Sequence, residues 1–221
     1  MSEDVMSRIG ALLTECHKQE GGYCRHRRLP ERSVTAWERR HGVILPDEYR
    51  AFIREVGNGG MMPGHYCDFI IHPLAEVLGS ERAATPFPVK SKRFRERMRQ
   101  LAVEGWPTEG VLFPELEPYW DRIDQPPGCI VFGQYPSSDA LLLVTAGDLR
   151  GSVWCSVCLG VPELTSSRKP LGFLAWFAST LNELLHGEFG PVRQAQAEPD
   201  TATNSEGRDI SPKLERSNRP R

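Results

Sequence analysis

WERRHGVILPDEYRAFIREVGNGG, residues Trp37 to Gly60, holds two short helical patterns pinched together around Leu45-Pro46 and then broken by a glycine-rich turn. Ser33 suits the N-cap of the first helix, with Trp37 facing inward, and Gly42 suits its left-handed stop. Pro46 biases Leu45 to extended backbone and takes the first position of the next helix, where a missing N–H costs nothing. Asp47 and Glu48 favour the positive end of that helix dipole. Tyr49, Phe52, Ile53 and Val56 follow i, i+3, i+4, i+7 spacing, which buries one helical stripe. Gly57 ends the pattern, and Asn58-Gly59-Gly60 supplies a positive-φ turn into the next element.

Upstream, Val5, Ile9, Leu12 and Leu13 mark an N-terminal helix that stops at Gly21-Gly22, and RHRRLPER (25–32) reads as a basic, proline-containing loop. Downstream, YCDFIIHPL (66–74) reads as a strand. Residues 80–127 are the least regular part: a very basic helical pattern, VKSKRFRERMRQLAVEG (89–105), then an acidic, aromatic, proline-rich stretch, WPTEGVLFPELEPYWDRIDQPPG (106–128). In the basic helix Val89, Phe94, Met98, Leu101 and Ala102 form a narrow apolar stripe. GCIVFG, ALLLVTAG and GSVWCSVCLG then read as strands, and LGFLAWFASTLNELLHGE (171–188) as a long amphipathic helix. Residues 190–221 are polar and aperiodic, which predicts a disordered tail. Helices, then an antiparallel meander, then a covering helix define an α+β domain: an antiparallel sheet of about four to six strands with helices on one face. The expected organisation is 1–32, an N-terminal helix and basic loop; 33–189, the domain, with an insert at about 80–127; and 190–221, the tail.

The formal net charge of −2 excludes a global nucleic-acid signature, but it conceals an asymmetry. Residues 1–104 carry 17 basic and 14 acidic groups, while residues 105–190 carry 4 and 10, so the second half is acidic. No apolar run reaches the roughly 18–20 residues of a membrane span. The first residues lack the layout of a cleavable signal, so a cytoplasmic protein is expected. Six cysteines in 221 residues do not make a disulfide scaffold.

Trp154-Cys155-Ser156-Val157-Cys158 has the spacing of a thiol–disulfide redox motif. It sits inside an apolar β run, however, and residues i and i+3 of a strand face opposite ways, so packing cysteines are the simpler reading. A zinc site would need further ligands from Cys16, His17, Cys24, His26 or Cys67, and no second CxxC occurs. His41, His65, His72 and His186 have no nucleophile or carboxylate partner at motif spacing. No phosphate-binding, nucleophile-elbow or metalloprotease motif is present. The basic helix Lys90–Arg99 reads as the exposed face of a packed helix rather than a phosphate-binding surface. Residues 106–124 place Glu109, Glu115, Glu117, Asp121 and Asp124 among Trp106, Phe113, Tyr119 and Trp120. That composition suits either a hot spot for a basic protein partner or an insert whose aromatics staple it to the core.

The signature resembles that of the SUKH superfamily, the group containing fungal cell-wall synthesis regulators and many bacterial toxin-immunity proteins. It is carried by Trp37, Gly42, Leu45, Pro46, Tyr49, Phe52, Gly59 and Gly60. IIHPLAEV (70–77), GCIVFGQYPSSDALLLV (128–144), GSVWCSVCLG and the helix 171–186 look like the family's later elements. Two features depart from the pattern: Ser138-Asp139 stands where a Gly-Asp is usual, and the 80–127 insert is longer than the pattern needs. The resemblance implies a non-enzymatic, cofactor-free protein-binding module, most concretely an immunity protein that blocks a basic toxin such as a nuclease. The expected partner surface is Glu115, Glu117, Tyr119, Trp120, Asp121 and Asp124 with Ser138 and Asp139. A regulatory scaffold of the fungal type and a thiol oxidoreductase using Cys155 and Cys158 are the alternatives.

Overall fold

The apolar runs after residue 128 form strands whose alternate side chains enter two different cores. A computed structural model describes residues 2–18, 22–62, 68–106, 112–119, 125–135, 139–156 and 160–186. The expected tail therefore lies outside the described residues. In β4 (Cys129–Gln134), Ile130 and Phe132 face one core and Cys129 and Val131 the other. In β5 (Ala140–Val144), Leu141 and Leu143 oppose Leu142 and Val144; in β6 (Val153–Cys155), Val153 and Cys155 oppose Trp154. Successive strand side chains point to opposite faces, so a run that is apolar at every position is buried on both.

These strands belong to a seven-stranded antiparallel sheet whose spatial order follows the chain. The others are β1 (Cys24–Arg25), β2 (Gly60–Met62), β3 (Phe69–Ile71) and β7 (Val161–Pro162). The α+β class and the antiparallel meander stand. The count exceeds the expected range because β1, β2 and β7 are two or three residues long, too short to show alternation. Of the strand expected over 66–74, residues 66 and 67 lie outside the described residues, and within the described part the strand is β3.

The first face is covered by α1 (Ser2–Lys18), α2 (Glu31–His41), α3 (Asp47–Ala51) and α5 (Phe173–His186), with α1 and α5 packed side by side. The predicted stripe Tyr49, Phe52, Ile53, Val56 is buried. Tyr49 meets Phe173 edge-on at 4.8 Å between centroids, and Phe52 meets Phe177 in the same way at 4.9 Å, a preferred aromatic geometry. The stripe is not one α-helix: after Ala51 the chain makes a π-helical turn, Phe52–Val56, closed by the Gly57 N–H donating to the Phe52 carbonyl (3.0 Å). Two boundaries also differ from the sequence reading. Ser33 is not the N-cap of α2; Pro30 holds that position in extended backbone and Ser33 N–H donates to its carbonyl (2.9 Å). Pro46 is itself the cap of α3, so the helix begins at Asp47, one residue later than expected.

The second face is covered as well, by the insert between β3 and β4. Its helix α4 (Ser91–Glu104) buries Phe94, Met98 and Leu101 against Val131, Leu142, Val144 and Trp154. A 3-10 helix, Pro114–Tyr119, adds Leu116, and the preceding Phe113 stacks on Phe94 at 5.9 Å and lies 5.3 Å from Trp154. Ala102, counted with the apolar stripe, is exposed. The expectation of helices on one face covers only half of this architecture, because the insert is the roof of the other half.

Candidate functional site

The signature residues are occupied with holding the chain together. Gly42 adopts the left-handed conformation at the end of α2 (φ 63°), as read from sequence. Trp37 is half-buried and stacks on His41 at 4.2 Å, while His41 Nδ1 donates to the Trp37 carbonyl (2.8 Å). Leu45, which precedes Pro46, has both backbone groups satisfied by charged side chains. Its N–H donates to Glu38 Oε1 (2.9 Å), and its carbonyl accepts from Arg150 Nη2 (2.7 Å). The other Glu38 oxygen pairs with Arg50, which also pairs with Glu31 and donates to Thr35 Oγ1 (3.2 Å). Arg54 Nε reaches Glu31 at 2.9 Å. Hydrogen bonds from Arg50 hold the Glu31 carboxyl below its usual range, and the Glu38 carboxylate raises Arg50 in turn. The motif is thus an electrostatic clasp between α2 and α3.

Glu48 acts at long range. Its Oε2 accepts the Leu174 N–H (3.0 Å), capping α5 from 126 residues away. A side chain at Gly172 would place its Cβ 2.6 Å from that oxygen, so the capping carboxylate would have to move aside. Asp148 does the same for α4, with Oδ2 accepting the Ser91 N–H (3.2 Å). Between these caps lies a cleft of about 460 Å³ lined by Pro46, Asp47, Glu48, Asp148, Arg150 and Gly172 among others. Sequence reading missed Glu38, Asp148 and Arg150, and no motif spacing flags them: their partners are backbone groups distant in the chain. Gly59 is left-handed (φ 84°), and a Cβ there would run into the Ile71 carbonyl oxygen. Gly60 opens β2, buried against the Tyr23 hydroxyl.

The expected partner-binding residues are placed unevenly. Trp120, Asp121, Asp124 and Ser138 lie outside the described residues. Glu117 is exposed and Tyr119 half-buried. Glu115 is half-buried and its Oε1 pairs with Arg93 Nε (3.2 Å). Asp139 is half-buried, and its carbonyl accepts the Tyr135 N–H (2.9 Å). Among the insert's aromatics, Phe113 is core and Trp106 packs against it, so these two staple the insert rather than present it.

Of the chemical candidates, Cys155 is buried in β6 with its side chain in the first core, and Cys158 lies outside the described residues. Cys16 and Cys129 are buried, and burial pushes the Cys129 thiol up to about 12; Cys24 is exposed. Burial lowers His72, against a smaller opposing pull from Glu76. Tyr135 donates to Glu163 Oε1 (2.7 Å) and accepts from Trp176 Nε1 (3.1 Å), and burial raises its phenol well above the usual range. Among the described residues no group of three or more His, Cys, Asp or Glu side chains is arranged to hold a metal ion, and no helix is long and apolar enough to cross a membrane.

A two-faced antiparallel meander, closed by α5 and clasped at a Leu-Pro-Asp-Glu-Tyr turn, defines the class: an α+β fold whose signature is structural. Residues 29–187 match the SMI1/KNR4 family (SUKH-1), and the chain belongs to that family. No curated protein and no solved structure matches the chain.

Proposed function

We propose that this chain is a non-enzymatic protein-binding module, an immunity protein that occludes a cognate toxin with a basic, phosphate-binding surface. The observation that carries the reading is family membership across residues 29–187, a group with toxin-immunity and regulatory members. The clasp adds support. Glu31, Glu38, Glu48, Arg50, Asp148 and Arg150, six charged groups around the signature, are engaged with one another or with backbone, which is the work of a scaffold. The contact residues in this reading are Glu117, Tyr119, Trp120, Asp121 and Asp124 of the insert, with Ser138 and Asp139. Glu115 belongs to the same acidic group and is paired with Arg93. Acidic groups would steer a basic partner, and the aromatics would anchor it.

The test is affinity capture from the host's own lysate, run beside a variant carrying Trp120→Ala, Asp121→Lys and Asp124→Lys. Retention of a basic toxin domain by the native chain, and its loss from the folded variant, supports role and surface together. Retention by both keeps the role and discards the surface. Capture of signalling or envelope-synthesis proteins alone favours a regulatory scaffold instead.

A further inference from the structure

The two edges of the sheet are finished differently. On the β7 side, Glu163 N–H donates to the Val153 carbonyl (2.9 Å), and the register pairs Trp154 with Pro162 and Cys155 with Val161. Hydrogen-bonded pairs alternate along an antiparallel ladder. Pro162 therefore stands where an N–H would point off the sheet, and proline has none. Beyond it the chain folds back through a bridge between Leu164 and Pro170. That edge offers no donor at its outward position.

On the β1 side, His26 N–H donates to the Gly59 carbonyl (3.0 Å), and the register pairs Arg25 with Gly60 and Cys24 with Met61. The same alternation turns the Arg25 N–H and carbonyl away from β2. No hydrogen bond to either is made among the described residues. Five consecutive residues, Cys24 to Arg28, are exposed. Arg25, Arg27 and Arg28 are cationic, His26 sits between them, and none of the four takes part in an ion pair among the described residues. An open edge normally invites pairing with a second copy, and charged side chains suppress this because like charges would face each other. The same charges attract a strand of opposite sign.

We propose that the β1 edge receives an extended acidic segment of a partner protein as one additional antiparallel or parallel strand. The Arg25 N–H and carbonyl supply the backbone pairing, and Arg25, Arg27 and Arg28 select for carboxylates. This goes beyond the toxin-binding reading: the surface is different, the sign of the partner is opposite, and neither proposal depends on the other. A nucleic acid would meet the cations but has no use for the outward backbone pair, so the backbone is where the test is placed.

The probe is a blocked eight-residue peptide alternating glutamate and threonine, added to the full chain at low salt. The same peptide with lysine for glutamate and a short DNA duplex serve as controls. Binding is read by fluorescence anisotropy, and hydrogen exchange is followed at the Arg25 amide. The expected result is binding of the glutamate peptide alone, with Arg25 exchange slowed at saturation. Arg25→Pro removes the outward donor and leaves the β1–β2 ladder bonds in place. It should weaken binding about threefold to tenfold beyond Arg25→Ala, the range for one lost hydrogen bond. Thermal melts check both variants, and if Arg25→Pro does not fold, exchange at Arg25 in the native chain decides. The proposal is overturned by no peptide binding at millimolar concentration, or by binding without slowed Arg25 exchange. Duplex DNA outcompeting the peptide would overturn it too. So would a low-salt dimer whose Arg25 amide is already protected.

Discussion

The two faces of the sheet bury similar side chains but are secured in different ways. On the first face, aromatic packing from α3 and α5 is combined with charged side chains that reach across the chain to backbone groups: Glu38 and Arg150 on Leu45, and Glu48 on Leu174. On the second face, the insert is held chiefly by an aromatic cluster around Trp154; Asp148 caps Ser91 and Arg97 reaches the Leu112 carbonyl, and its one ion pair there among the described residues, Arg93–Glu115, is solvent-accessible on both sides. The difference shows that a short, distinctive motif and a long insert can each complete a core on its own face of one sheet. The motif uses its charged groups to fix geometry, and the insert works mainly by burying apolar area.

The sharpest way to break this comparison is to cut both faces through the two strands that flank β5. Trp154→Ala removes the centre of the second core, and Phe132→Ala removes its counterpart on the first. Each should cost about 3–5 kcal/mol in urea unfolding. A loss below about 1 kcal/mol for Trp154→Ala would make the insert an ornament. Next in size, Glu38→Ala strips a partner from Arg50 and from the Leu45 N–H. The side chains of Glu38 and Arg50 are 10% and 23% exposed, so the expected loss of about 2–3 kcal/mol lies below that of a fully buried pair. An unchanged midpoint would remove the clasp from the first face's account.

The third prediction separates the faces by pH. The Cys129 thiol, on the second face, is raised by burial to about 12, against an unfolded value near 8.5. A folded pKa above the unfolded one means full stability below about pH 8.5 and loss as pH rises toward 12, by at most about 1.4 kcal/mol per pH unit from this group. Tyr23, Tyr49 and Tyr135, also raised by burial, join above about pH 10. Cys129→Ala should therefore flatten the stability curve between about pH 9 and 10 more than Cys16→Ala does. Equal slopes in all three proteins would refute the assignment. The smallest effect is expected for Arg93→Ala: no more than about 1 kcal/mol, shrinking in high salt.

Helices and strands long enough to show a period were legible in the sequence, and so was the glycine stop at Gly42. The signature's polar work was not, because Glu38, Glu48, Asp148 and Arg150 act on backbone groups that no local spacing connects to them. The second core was half-legible. The continuous apolar runs of β4 to β6 already required two covered faces, yet the insert's charge drew attention to its outside while Phe94, Met98, Leu101 and Phe113 made its inside. Of the expected partner surface, composition pointed to acidic groups and aromatics. It could not separate Phe113, which is core, from Glu117, which is exposed.

The Glu48 cap on α5 also bears on synthesis. The clasp between α2 and α3 needs Arg150 to satisfy Leu45, and α5 needs Glu48 at its N-terminus, contacts spanning 105 and 126 residues. A chain made from its N-terminus exposes the Tyr49–Val56 stripe long before either partner leaves the ribosome. Long-range closures of this kind are slow because loop entropy must be met first. For most of translation the signature is therefore an unclosed, apolar segment, and its protection in the cell depends on how quickly the last strands and α5 follow it out.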